Sequence, residues 1–255
     1  MKEFLQDIYE KLDRKLEAEC IRVKDKIPYT TQDGMYRTDM REENLFWWTN
    51  GFWAGMLWQM YHATGKEIYR KTAEYSEEAL DRALDRFEGL HHDVGFQFLH
   101  TAVADWRLTK NPRSRIRGLQ AATLLAGRFN GNGNFIRAWN MDRRGWMIID
   151  TMMNLPLLYW ASEETKDPRF SWIAGKHADT AGRLLMRGDG SCNHIAIRRR
   201  GNFWVILPDR DMLPVPLGPG GRPGRYTVSR WLTCTAKKRS IWIWLNRQLI
   251  TLLPM

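Results

Sequence analysis

Three stretches of the chain set polar side chains among aromatic and small residues at the starts of helices. In Trp47-Trp48-Thr49-Asn50-Gly51-Phe52-Trp53 the indoles offer flat π-faces, which suit the apolar C–H face of a sugar ring, with an N–H left for a hydrogen bond. Trp48, beside the helix start, is expected to face a cleft; the other indoles are equally suited to a core. In His91-His92-Asp93-Val94-Gly95-Phe96, Asp93 stands where a side-chain oxygen could cap orphan amides. His92 beside it and the small-aromatic pair after it would also leave room for a ligand against the carboxylate. Asp150 lies in the apolar run Trp146 to Trp160, where desolvation raises a carboxyl pKa and makes it a general acid near neutrality. A cap, or a hydrogen bond to Asn154, is the structural role open to the same side chain.

Helices must position these groups. Phe4, Ile8, Leu12 and Leu16 recur every four residues as one apolar stripe. Similar helical patterns cover residues 50–63, 67–87, 94–108, 113–128, 150–164 and 168–186, and strand-like alternation is nearly absent. Three turns resemble one another: Thr64-Gly65-Lys66, Thr109-Lys110-Asn111-Pro112 and Thr165-Lys166-Asp167-Pro168. Asn111 and Asp167 are placed as N-caps with proline at the first helical position. The turns lie 45 and 56 residues apart, a spacing suited to helical hairpins packed side by side. Gly51 and Gly55 would admit close approach of other groups to the backbone. An all-α array with two carboxylates, on separate hairpins facing one mouth, would carry the paired acids of glycosidic cleavage.

Charge divides the chain unevenly. The net charge is +10, yet residues 198–255 hold 11 of the 39 Lys and Arg against Asp209 and Asp211 alone, whereas residues 1–197 hold 28 against 27 acids. The tail also holds six of the ten prolines and no periodicity, so a boundary is expected near Ile197. Cys20, Cys192 and Cys234 are odd in number and lack metal-ligand spacing, which fits a reducing compartment. With no export-type apolar segment at the start and no run of the ~20 residues that span a bilayer, a cytoplasmic protein without a membrane partner is expected. No feature sets an oligomeric state.

The stretches WWTNGFWAG, HHDVGF, IIDTMMNLPLLYWAS and GSCNHI resemble the unsaturated glucuronyl hydrolases of glycoside hydrolase family 88, over about residues 30–197. That resemblance implies a toroid of six inner and six outer helices, (α/α)6. It also implies Asp150 as catalytic acid/base, Asp93 as the second essential carboxylate, and His92, Trp48 and His194 in contact with substrate. Trp139, in Arg137-Ala138-Trp139-Asn140, is carried over on fewer matching residues. The implied substrate is an unsaturated uronic-acid oligosaccharide left by a polysaccharide lyase, and no metal, organic cofactor or nucleic acid is implied. Sister enzymes of family 105, acting on unsaturated rhamnogalacturonan fragments, usually differ where this chain reads HDVGF.

After GSCNHIAI the family would continue through a Gln-Gly-Tyr stretch and a Ser-Ser-Trp-Ala-Arg-Gly-Gln-Ala-Trp segment. This chain does not. Joining the third base of each codon to the first two of the next, however, permits GSSWARGQAW within the tail, and Trp204 followed by Val205 forces a glycine. A frameshift near residue 197 is therefore expected. Residues 1–197 would form an incomplete toroid domain, residues 198–255 an irregular, poorly structured tail, and the product would have weak or no activity. A competing reading is a non-catalytic helical-repeat binding protein whose basic tail recruits nucleic acid or an acidic partner.

Overall fold

In the computed structural model, residues 2–141, 143–199 and 203–208 are described, and the chain divides into two compact units, Met1–Leu124 and Leu125–Met255. The first begins with helix α1 (Lys2–Val23) and a short hairpin of β1 (Thr31–Gln32) and β2 (Met35–Tyr36). A single turn, α2 (Met40–Glu43), is capped by Asp39, whose carboxylate accepts from the Arg41 amide at 3.1 Å. A 3-10 turn at Trp48–Gly51 then leads into α3 (Phe52–Thr64) and α4 (Glu67–Arg86). Next come α5 (Val94–Phe98), a π-helical turn at Leu99–Val103, α6 (Ala104–Thr109) and α7 (Pro112–Gly127).

The repeated turns share one local solution. Gly65, Lys110 and Lys166 each adopt a left-handed conformation, with φ of 69°, 62° and 59°, which ends the preceding helix. Asn111 then accepts from the Arg113 amide at 3.1 Å and Asp167 from the Arg169 amide at 2.9 Å, so both expected caps form. Cys20, Val23, Trp53, Leu57, Trp58, Tyr69 and Ala73, from α1, α3 and α4, make a shared core. Tyr69 donates its hydroxyl to Asp13 at 2.6 Å, and Lys66 reaches Asp13 and Glu17, which pins α4 to α1. The α1 stripe behaves only partly as its spacing predicts. Leu16 packs against this core, but Phe4 and Leu12 remain 65% and 47% exposed.

The second unit contains the hairpin β3 (Phe129–Asn130) and β4 (Phe135–Ile136), strand β5 (Trp146–Ile148), helices α8 (Thr151–Thr165) and α9 (Pro168–Leu185), and strands β6 (Ile195–Arg198) and β7 (Trp204–Leu207). The last three strands form an antiparallel sheet in the order β5-β6-β7, with Ile148 opposite Ile195 and Ile195 opposite Leu207. Ala138, Ile148, Ile195 and Ile197 are buried together against Trp139, Trp146, Val205 and Leu207.

The described residues are mostly helical with small sheets. These strands are the departure from an all-α expectation. At two to four residues they are too short for alternation to register, and they form because neighbouring segments satisfy one another's amides. β7 also carries regular pairing past Ile197 into the expected irregular tail, as far as Leu207. The expectation for residues 209–255 lies outside the described residues.

Candidate functional site

Each unit holds some of the expected residue set. In the first, the 3-10 turn bearing Trp48 lies against α5, and Gly51 makes this possible. A Cβ at Gly51 would collide with the carbonyl oxygens of Phe96 and Gln97. Gln97 donates to the Trp47 carbonyl at 3.0 Å, fixing the contact, and Asn50 donates to the Asn44 and Leu45 carbonyls. Gly55 has a similar role a turn further along, where a Cβ would meet the His100 side chain at 2.9 Å.

Trp48 is 38% exposed, whereas Trp53 and Trp58 are buried. Phe96 and Phe52 support the Trp48 ring, with centroids 5.6 and 5.5 Å away. Phe52 meets His100 at 5.4 Å in turn, and burial pushes His100 down to about 4. The ring is thus neutral near pH 7.

Asp93 stands at the N-terminus of α5 but makes no side-chain cap hydrogen bond. Its carboxylate turns to the imidazoles instead: Oδ1 lies 3.3 Å from His92 Nε2, and Oδ2 lies 3.5 Å from His91 Nδ1. His92 is fully buried and Asp93 is 7% exposed. A carboxylate set against two imidazoles can orient a polar substrate group or balance charge that develops beside it. His91, His92 and Asp93 are also the group, among the described residues, whose potential ligand atoms come within 4.8 Å of one another. The sequence motifs point to His92 alone; the His-His doublet is the signal that could have found His91.

In the second unit, Asp150 stands at the N-terminus of α8, again without a side-chain cap hydrogen bond. Its Oδ1 is shut off from solvent, and Asn154 donates to the Asp150 backbone carbonyl at 3.3 Å. Strand pairing places His194 nearby, because Ile149 donates its amide to the His194 carbonyl at 3.0 Å and the His194 amide binds the Leu207 carbonyl at 3.1 Å. Asp150 and His194, 44 positions apart in sequence, therefore leave the same end of the β5-β6 ladder. Trp139 lies toward the other end of β5. It packs on Trp146 at 5.5 Å, while Arg128 holds the carbonyls of Ala138 and Trp139 at 2.9 and 3.1 Å.

Each unit thus sets a carboxylate at a helix start near a histidine, the residue types that serve general acid/base chemistry. The chain belongs to glycosyl hydrolase family 88, whose profile matches residues 21–187. The unsaturated glucuronyl hydrolase of Bacillus sp. (strain GL1) is 42% identical over 152 residues, covering 58% of this chain and 40% of that protein. The unsaturated chondroitin disaccharide hydrolase of Streptococcus pyogenes serotype M1 is 34% identical over 199 residues, covering 74% and 48%. The crystal structure of the Bacillus sp. GL1 enzyme, described as responsible for the degradation of glycosaminoglycan, matches with a TM-score of 0.64 at 34% identity, over 72% of this chain and 49% of that one. The chain spans about half the length of the curated relatives it matches, or less. No helix among the described residues is long and apolar enough to cross a membrane.

Proposed function

We propose that this chain derives from a hydrolase of unsaturated glucuronyl oligosaccharides, with Asp150 as its general acid/base. The carrying observation is Asp150 itself. It begins a helix without capping it, keeps one carboxyl oxygen away from water, and sits beside His194 through the β5-β6 ladder. Asp150 donates its proton to C4 of the 4,5 double bond, and the electron pair of that bond forms the C4–H bond. Water adds at C5 and returns a proton to Asp150, restoring the acid. The hemiketal so formed opens and releases the neighbouring sugar. Asp93, held between His91 and His92, orients substrate or balances charge rather than attacking it, and Trp48, His92, His194 and Trp139 contact the sugar.

The full architecture in this proposal is the (α/α)6 toroid, of which residues 1–197 form an incomplete portion, with the reading frame shifted near residue 197. The 255-residue chain is then weak or inactive. Sequencing the DNA across codons 190–205 tests the frameshift. Turnover is followed by loss of double-bond absorbance with an unsaturated glucuronyl disaccharide. A frame-restored protein is expected to be active and to lose about 100-fold or more in kcat on Asp150→Asn, with folding intact. Full activity in that variant would remove Asp150 from the chemistry.

A further inference from the structure

Arg143 stands in the loop between Trp139 and β5, and the hydrolase chemistry leaves it unused. Its side chain is exposed, and its guanidinium carbon lies 4.7 Å from the Trp139 ring centroid and 5.2 Å from that of Trp146. The two indoles are 5.5 Å apart and inclined at 49°, so cation and rings close a small triangle. The Arg143 carbonyl accepts from the Trp146 amide at 3.3 Å, which ties the loop directly beneath that triangle. Several other arginines find acids: Arg41 pairs with Asp39, Arg70 with Glu67 and Glu74, and Arg117 with Glu77 and Asp81. Among the described residues no carboxylate pairs with Arg143.

A cation over an indole face is attracted by the ring's quadrupole, which biases the orientation of a long side chain without consuming its N–H groups. The planar fork of a guanidinium then matches a carboxylate or sulfate through two parallel hydrogen bonds. We propose that Arg143 is the anion-binding residue of a sugar subsite built on Trp139, taking a carboxylate or sulfate ester on the sugar linked to the unsaturated residue; this rests on the hydrolase reading above. Arg143 acts here on specificity rather than on the bond that reacts.

Titration calorimetry on the 255-residue chain tests the assignment with three unsaturated uronyl disaccharides. The second sugar is neutral in one, sulfated in another and a uronate in the third. The anionic probes are expected to bind more tightly than the neutral one, and Arg143→Gln to weaken them about tenfold while leaving the neutral probe unchanged. Arg143→Lys, which keeps the charge but loses the planar fork, should recover only a fraction of the loss. A loss confined to the sulfated probe identifies a sulfate ester as the ligand, and one confined to the uronate probe identifies a carboxylate. Equal effects on all three probes, or no effect, overturn the proposal while leaving the hydrolase reading in place. If the unaltered chain binds none of the three, the Arg143 assignment falls, whereas the hydrolase reading stands or falls on the turnover of the frame-restored protein.

Discussion

Acidification should destabilise the second unit through His177, a fully buried residue of α9. Its Nδ1 accepts the Ile136 amide at 2.8 Å, so the proton of the neutral ring is on Nε2. A second proton would have to occupy the nitrogen that receives that hydrogen bond, inside a site without solvent. Burial accordingly pushes the pKa down from 6.5 to about 3. Because the folded value is depressed, the unfolded chain takes up the proton first as pH falls. Stability is therefore complete above about pH 6.5 and is lost progressively toward pH 3. Between about pH 7.5 and pH 5 the linkage relation gives a loss of about 2 kcal/mol from this one group. His177→Asn keeps an acceptor for the Ile136 amide and removes the titration. Urea unfolding followed by tryptophan fluorescence at both pH values should show a lower neutral stability for the variant, because ring packing is lost. It should also show an acid-dependent decline smaller than in the parent by about 2 kcal/mol. Parallel declines in the two proteins would refute the reasoning.

Other substitutions test the supports of the candidate site. Gly51→Ala forces a methyl against two backbone carbonyls, which cannot turn aside, and should destabilise the first unit by about 1–3 kcal/mol in thermal melts. An unchanged melting temperature would mean that the 3-10 turn and α5 are less closely apposed. Arg117 donates to buried Glu77 at 2.7 Å, and burial lifts Glu77 to about 7. Arg117→Met should cost about 3–5 kcal/mol at alkaline pH, where it strands a carboxylate, and less at acidic pH, where Glu77 is neutral. Denaturation midpoints that fail to converge with those of the parent on acidification would count against this account.

The sequence alone determined the helical framework, because its signals are local. The glycine at 65 and the Asn111-Pro112 and Asp167-Pro168 pairs act within a turn or two of the chain. Helices expected at 67–87 and 168–186 accordingly occupy Glu67–Arg86 and Pro168–Leu185. Family-like motifs likewise marked Asp93 and Asp150, although the spacing could not distinguish a cap from a reactive acid. Only tertiary structure showed that neither side chain caps its helix, that His91 joins His92 at Asp93, and that a three-stranded sheet brings His194 beside Asp150. The physical reason is range. A cap or turn is stabilised by neighbours in sequence, whereas short strands such as β6 and the wedge around Arg143 are stabilised by groups that only folding brings together.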